Sequence, residues 1–172
     1  TIASWYTNEG SGVADIGQLR WSTDYVFAIF GIDAEGNLAT EVIIKEFTTL
    51  TPAQSSNEFT ITINSFTKSS VNFTVTPTND DQYYVTVEKV GTVSGYGPDQ
   101  DKSYDDLIDY LLPEYENQLT QRLFSGEQTI NNSDLGKSVN GFYDYVIVVW
   151  GFNNGPTTTV FMSEAFRPAD PE

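Results

Sequence analysis

The chain contains no histidine and no cysteine among its 172 residues. Without these side chains it cannot build a catalytic triad that depends on histidine, a cysteine nucleophile, or a zinc or iron site with His and Cys ligands. We therefore expect a protein that is not an enzyme and that holds no cofactor and no metal. The lack of cysteine also excludes disulfides, which neither proves nor excludes export.

Basic residues are few as well, with 8 Lys and Arg against 24 Asp and Glu and a net charge of −16. The basic residues are scattered, so they form no patch that could hold a phosphate backbone or an anionic membrane. No apolar run reaches the roughly 18 residues that a membrane helix needs. We expect no nucleic-acid partner and no membrane-spanning segment.

The residues that are present favour a packed β protein, since 39% are hydrophobic and 14% aromatic. Apolar residues alternate with polar ones in three segments, which is typical of half-buried strands. The apolar positions of the three predicted strands are Phe59, Ile61 and Ile63, then Val71, Phe73 and Val75, then Tyr83, Val85 and Val87.

One sequence pattern occurs twice. Asp, Tyr, Val and Gly of the segment 24–33 recur in the segment 144–153, which is an offset of 120 (144 minus 24). Phe47 and Phe166 match at an offset of 119, as do Thr40 and Thr159, which predicts that one residue is lost between them. The intervening segments are rich in Asp, Asn and Gly, so each copy is predicted to end in a β-hairpin.

The first copy lacks the strands that precede the hairpin in the second. In residues 25–32 both the odd and the even positions are apolar, and these point to opposite faces of a strand. This strand should therefore need neighbours on both sides and cover on both faces. An isolated hairpin is marginal in water. We expect the missing part of a sandwich, roughly 60 residues, to come from upstream sequence or from another chain, so self-association through the incomplete domain is one expected interaction.

The segment between the third strand and the second hairpin has a helical period. Ser103 and Asp106 resemble a capping box, and Leu107, Ile108 and Leu111 fall on one face. The period continues to Leu123, so a helical segment is predicted over about 103–124 with a cap at Gly126, followed by a polar loop over 127–140.

The segment Leu19 to Phe27, LRWSTDYVF, resembles the L-x-P-x-T-x-Y-x-V corner of fibronectin type III domains, with Trp21 in place of the usual proline. In that family the tyrosine hydroxyl bonds back to the chain at a sandwich corner, so the resemblance implies this role for Tyr25 and Tyr145. The chain is also similar to the fibronectin-type-III-like repeats of secreted or lipid-anchored surface proteins of Gram-negative gut bacteria, which are often described as cell-adhesion proteins.

The expected fold is all-β. It is a fibronectin type III or immunoglobulin-like β-sandwich with a helical insertion, preceded by a partial copy of the same fold. The expected boundaries are 1–50 for the partial domain, 51–57 for a linker and 58–172 for the complete domain. Its predicted core is Phe59, Ile61, Ile63, Val71, Phe73, Val75, Tyr83, Val85, Leu107, Leu111, Tyr145, Ile147 and Val149.

Aromatic residues outside the clean strand patterns are the candidate ligand-binding residues. A flat aromatic face can stack on the C–H face of a sugar ring, and Trp5, Tyr6 and Tyr96 are the candidates. Trp21 and Trp150 are expected to pack in the corner and in the core. Calcium is an open alternative at two acidic loops, formed by residues 79–81 and 99–105.

We expect the protein to act outside the cell or at its surface, where an outer-membrane lipoprotein anchor is one arrangement. The predicted function is a non-catalytic adhesion or spacer module in a tandem array, with an extracellular protein or a glycan as its partner. The alternative is a carbohydrate-binding module of a polysaccharide-capture system. A hydrolase that uses paired carboxylates is a third hypothesis.

Overall fold

The structure is a computed structural model, and it describes residues 19–113 and 116–169. The chain divides into two compact units, unit 1 from Thr1 to Pro52 and unit 2 from Ala53 to Glu172. Across these described ranges, nine strands form three antiparallel sheets. The predominantly β architecture confirms the predicted class and is consistent with a sandwich.

The described part of unit 1, residues 19–52, contains one hairpin. Strands β1 (Asp24–Ile29) and β2 (Ile43–Thr48) pair antiparallel, with Asp24 opposite Thr48. The Asp33 carboxylate accepts hydrogen bonds from the backbone N–H of Glu35 at 3.1 Å and of Asn37 at 2.7 Å. These bonds close the turn, because an Asp side chain can replace a backbone acceptor there.

Unit 2 has two sheets. The first has the order β3-β4-β7 and is built from β3 (Phe59–Phe66), β4 (Val71–Pro77) and β7 (Gln128–Asn131). The second has the order β6-β5-β8-β9 and is built from β5 (Tyr83–Lys89), β6 (Leu123–Phe124), β8 (Tyr145–Gly151) and β9 (Phe161–Met162). Side chains from both sheets form a single apolar cluster.

The core of unit 2 was largely predicted by the alternation of apolar residues. Of the 13 predicted core residues, 11 are buried, while Ile61 and Ile63 are half-buried and pack against the cluster. Phe59 of the first sheet contacts Tyr83 and Phe161 of the second, with ring centroids 5.1 Å and 5.3 Å apart. The apolar side chains of each strand therefore face the opposite sheet.

Three short helices lie between β5 and β6. They are α1 (Val90–Val93), α2 (Tyr104–Leu111) and α3 (Glu116–Thr120). The predicted capping box at the start of α2 is confirmed, since Ser103 Oγ accepts from Asp106 N at 3.1 Å and the Asp106 carboxylate accepts from Ser103 N at 2.8 Å. None of the helices in the described part has the length and apolar character needed to cross a membrane.

The predicted end of the helical segment was wrong. Leu123 and Phe124 form strand β6, which pairs with Tyr84 and Tyr83 at the edge of β5. Gly126, at φ +63°, lies in the turn that follows β6 and caps no helix. Pairing with β5 supplies these residues with ladder hydrogen bonds, and it overrides the helical spacing of Leu119 and Leu123.

The predicted polar loop over 127–140 was also wrong in part. It contains β7, which pairs with β4, and a 3-10 helix at Asn132–Leu135. Ile130, Leu135 and Val139 are buried in the core. A strand of four residues with one apolar side chain shows no measurable period, so sequence pattern could not reveal it.

Candidate functional site

Two of the three candidate ligand-binding residues, Trp5 and Tyr6, lie outside the described residues. The third, Tyr96, is half-buried in the turn that follows α1. Its backbone N–H donates to the Val93 carbonyl at 3.1 Å, and it forms a parallel bridge with Lys102. The bridge brings Tyr96 next to the residue that precedes the cap of α2.

Tyr96 belongs to a small surface cluster with Tyr110 and Lys102. The Tyr96 and Tyr110 rings are stacked, with centroids 6.4 Å apart and planes 24° apart. Lys102 Nζ lies 5.1 Å from the centre of the Tyr96 ring. Tyr110 is 66% exposed, so it adds an open aromatic face that the sequence analysis missed. The sequence signal that could have identified Tyr110 is its position on α2, away from the buried Leu107 and Leu111.

A second aromatic cluster borders an open groove of about 420 Å³ between α1 and the segment before β8. Phe142 there is 86% exposed, and Lys89 Nζ lies 3.8 Å from the centre of the Tyr143 ring. Arg167 makes a bidentate pair with Asp144 at 2.8 and 2.7 Å. This guanidinium lowers the pKa of Asp144, and the carboxylate raises the pKa of Arg167. Sequence reasoning did not single out this groove.

Both units contain the same tyrosine corner. The hydroxyl of Tyr25 accepts from the Arg20 backbone N–H at 2.8 Å, and the hydroxyl of Tyr145 accepts from the Asn140 backbone N–H at 3.2 Å. In each case the donor lies five residues before the tyrosine. The prediction that both hydroxyls bond back to the chain is confirmed.

The two hairpins also share a close contact between a glycine and a threonine. Gly31 N donates to Thr40 Oγ1 at 2.7 Å, and Gly151 N donates to Thr158 Oγ1 at 2.8 Å. The expected match of Thr40 with Thr159 was therefore wrong, because the hydrogen bonds equate Thr40 with Thr158.

The hydrogen bonds also show where residues are lost and inserted between the two copies. The offset between equivalent residues of the two copies is 120 at the glycine and 118 at the threonine (158 minus 40). The turn of the second copy is therefore two residues shorter. Phe47 pairs with Tyr25 and Phe166 with Tyr145, which restores the offset to 119 (166 minus 47). The second copy therefore has one extra residue after β9. At this place Ile147 N donates to Ser163 Oγ, and Ser163 N donates to the Ile147 carbonyl.

The hairpin of unit 1 leaves apolar side chains exposed on both faces. Val26, Ile29 and Ile44 are 63%, 51% and 59% exposed. The equivalent strand β8 in unit 2 is buried along its whole length. Large exposed apolar side chains gathered on one hairpin are typical of an interaction site.

The start of unit 2 is fixed to loops of its own sandwich. Asn57 is buried, and its side-chain oxygen accepts from the backbone N–H of Thr78 at 2.9 Å and of Asn79 at 3.2 Å. Ser55 N donates to the Thr157 carbonyl at 2.8 Å, and Ser55 Oγ donates to Asp81 at 2.6 Å. The residues that lead into β3 are therefore held in place.

The acidic residues that suggested calcium are spread along the surface. Within 19–113 and 116–169, no three acidic side chains lie close enough together to share a cation. Asp105 and Asp106 instead occupy the first turn of α2, where negative charge complements the helix dipole.

No protein family matches this sequence, and no curated protein matches it either.

Proposed function

We propose that the chain is a non-catalytic adhesion or spacer module of an extracellular array of β-sandwich repeats. The observation that carries this proposal is the recurrence of one corner and hairpin in both units. The tyrosine hydroxyl, the glycine–threonine contact and the strand pairing all repeat. Repeated structural units within one chain are typical of arrays that span distance or present other domains.

The fixed entry to unit 2 supports a spacer role. Ser55 and Asn57 bind the segment before β3 to the Thr78–Asp81 loop and to Thr157. A segment bound in this way keeps its direction relative to the sandwich, whereas a free Gly/Ser linker behaves as a flexible coil. Tension on the chain can therefore enter unit 2 through these bonds.

Single-molecule stretching of the full chain tests the spacer role. Unit 2 should unfold in one event that releases the 120 residues from Ala53 to Glu172, about 400 Å of chain at ~3.5 Å per residue. Asn57→Ala should lower the unfolding force, because the Thr78 and Asn79 donors lose their acceptor. The control is Asn64→Ala, because the exposed Asn64 amide bonds only the half-buried side chains of Asn72 and Thr74.

The spacer proposal fails if unit 2 extends gradually at low force, or if any glycan is turned over and one Asp or Glu substitution abolishes the turnover. The second outcome would favour the hydrolase hypothesis.

Carbohydrate binding is the second candidate, favoured by the exposed ring of Tyr110 stacked on Tyr96. An aromatic pair of this kind can hold one face of a pyranose, and Lys102 can bind a hydroxyl or an acidic substituent. A panel of neutral and acidic polysaccharides tests this role by calorimetry. Binding that is lost in both Tyr96→Ala and Tyr110→Ala, and kept in Tyr143→Ala, would support it. No binding by any member of the panel would contradict it.

A further inference from the structure

The aromatic residues that border the groove between α1 and the segment before β8 have no counterpart in the first copy of the repeat. Phe142 and Tyr143 are 86% and 48% exposed. At the offset of 120 that relates the two tyrosine corners (142 minus 22), unit 1 has Ser22 and Thr23 at these positions. Because the same corner forms with a serine and a threonine, the fold does not require the two exposed rings.

The charged pair of the groove differs between the copies in the same way. In unit 1, Asp24 lies opposite Thr48, whose hydroxyl donates to the Asp24 carboxylate at 2.6 Å. In unit 2 the equivalent carboxylate is Asp144, and its donor is Arg167, at the offset of 119 found at the end of this hairpin (167 minus 48). A threonine hydroxyl is sufficient for this contact, so the guanidinium is a further feature that the fold does not require.

Lys89 supplies the second cation of the groove. Its ammonium lies over the Tyr143 ring, and within residues 19–113 and 116–169 no carboxylate pairs with it. The adjacent Glu88 accepts instead from Lys137 and Thr86, because successive side chains of a strand point to opposite faces. A cation over an aromatic ring keeps its charge, so Lys89 brings positive charge to the groove.

The Arg167 guanidinium is held in place and still has donors for a ligand. Nε and Nη2 donate to the Asp144 carboxylate, whereas a guanidinium also carries two N–H groups on Nη1. Lys89 and Arg167 against Asp144 leave the groove with one net positive charge (two minus one), in a chain whose net charge is −16. A ligand with one negative charge is therefore favoured here, whereas a polyanion is repelled by the rest of the chain.

The size and the rigidity of the groove suit a sugar ring. Its volume of about 420 Å³ is within the range of roughly 300–1,000 Å³ that is usual for small-molecule sites. An exposed aromatic face matches the apolar C–H face of a pyranose. The aromatic loop is fixed at its base, since Phe142 N donates to Asn140 Oδ1 at 3.0 Å and Asn140 N donates to the Tyr145 hydroxyl at 3.2 Å. A site ordered in this way loses little entropy when a ligand binds.

We propose that this groove binds one acidic sugar, the carboxylate-bearing pyranose of a uronic acid within an otherwise neutral glycan. The sugar ring stacks on Phe142, and its carboxylate accepts charge-assisted hydrogen bonds from Lys89 Nζ and Arg167 Nη1. The site gives the proposed adhesion role a ligand and rests on that role. The spacer role does not involve this groove, and the Tyr96–Tyr110 cluster is a separate surface.

The experiment titrates the full chain, labelled with ¹⁵N, with three small probes. Methyl β-D-glucuronide has the ring and the carboxylate, methyl β-D-glucoside has the ring alone, and acetate has the carboxylate alone. The glucuronide should cause saturable shift changes at the amides of Gly91, Thr92, Phe142 and Tyr143. The glucoside and acetate should each bind at least about ten-fold more weakly, because each lacks one of the two interactions.

The first copy of the repeat supplies the variants. Phe142→Ser and Arg167→Thr each introduce the residue that unit 1 has at the equivalent position, so the corner should still form. Each should weaken glucuronide binding by at least about five-fold. Lys89→Gln removes the charge of an exposed side chain and should weaken binding by about ten-fold, which tests the groove even if the two corner variants fail to fold. Lys102→Gln is the matched control, since it removes the cation of the Tyr96–Tyr110 cluster and should leave the affinity unchanged.

Four results would overturn the proposal. The first is the absence of saturable shifts at the groove amides. The second is equal affinity for the glucuronide and the glucoside. The third is binding of acetate or of a capped Gly-Asp-Gly peptide as tight as that of the glucuronide, which would mean an adventitious anion or an acidic peptide as the occupant. The fourth is glucuronide binding that Lys102→Gln or Tyr110→Ala abolishes and Lys89→Gln does not, which would assign the sugar to the other cluster.

These results are independent of the stretching experiment. A gradual extension of unit 2 at low force would contradict the spacer role and would leave glucuronide binding unexplained by it. Conversely, a groove that binds none of the three probes would remove this ligand and leave the unfolding force of unit 2 unchanged.

Discussion

Arg122 Nη1 donates to the hydroxyl oxygen of Tyr84 at 2.9 Å in the interior of unit 2. Both side chains are buried, and Arg122 Nε donates to the Leu135 carbonyl at 3.1 Å. The Tyr84 ring also stacks on Trp150, with centroids 4.2 Å apart. A buried guanidinium is costly unless its donors are satisfied, so this network holds together β5, the start of β6 and the 3-10 helix.

Tyr84→Phe should lower the free energy of unfolding by about 1–3 kcal/mol, because it leaves a buried donor of Arg122 without its acceptor. Urea unfolding followed by tryptophan fluorescence measures the change. Tyr96→Phe is the control, since its hydroxyl makes only a 3.5 Å contact with exposed Lys102 and should cost less than about 0.5 kcal/mol. Equal effects of the two substitutions would contradict the buried network.

Stability should fall as the pH rises above about 10. Burial raises the pKa of Tyr83, with a further contribution from Glu127, and burial also raises the pKa of Tyr84. The ordinary pKa of a tyrosine is about 10, so the unfolded chain loses these protons first and the native state is penalised at higher pH. Their contribution is complete below pH 10 and is lost progressively above it.

The pH dependence can be assigned by substitution. Each such tyrosine contributes a slope of about 1.4 kcal/mol per pH unit above its unfolded pKa. Urea midpoints of Tyr83→Phe, measured between pH 9 and 11.5, should therefore depend less steeply on pH than those of the unchanged chain. Identical slopes would show that Tyr83 ionises as readily in the folded state as in the unfolded state.

Asn57→Ala should destabilise unit 2 by about 1–3 kcal/mol, because it removes the buried side chain that is the common acceptor of the Thr78 and Asn79 N–H groups. Asn64→Ala, at an exposed amide, should cost less than about 0.5 kcal/mol. Denaturant unfolding measures both values. A loss at Asn57 no greater than that at Asn64 would mean that water replaces the lost bonds.

Gly151→Ala and Gly91→Ala should act in opposite directions. A Cβ on Gly151 would lie 2.4 Å from Thr157 Oγ1 and 2.8 Å from Thr158 Cγ2, so the substitution should cost about 1–3 kcal/mol. A Cβ on Gly91, within α1, meets no atom within 4 Å, and alanine should stabilise that helix by about 0.5–1 kcal/mol. Thermal unfolding of both variants checks the signs, and a stabilising Gly151→Ala would contradict the close approach.

Strands of seven or eight residues with alternating apolar positions could be predicted from sequence, and β3, β4 and β5 were. Strands β6 and β7 could not, because two and four residues are too short to show a period of two. Their places are set by the open edges of β5 and β4, which belong to distant parts of the chain.

The candidate site was predictable only in part. Tyr96 was identified because it lies in a loop rich in Gly and Pro, whereas Tyr110 lies within the predicted helical segment, outside its apolar face, and was not considered. The two meet through the bridge between Tyr96 and Lys102, a contact that the sequence does not encode in any local pattern. The cluster of Phe142, Tyr143 and Lys89 likewise joins segments more than 50 residues apart (142 minus 89 is 53).

By itself, the sequence determined the local geometry of the repeat. Residues 24–31 and 144–151 carry the same pattern, and each copy forms the same hydroxyl bond and the same glycine–threonine contact. Tertiary structure alone decided the burial of the two strands. β8 is covered because it lies between β5 and β9 and packs against the facing sheet, whereas β1 has one strand beside it in the described part of unit 1. Local bonds follow from neighbouring residues, but burial depends on partners that are remote in the chain.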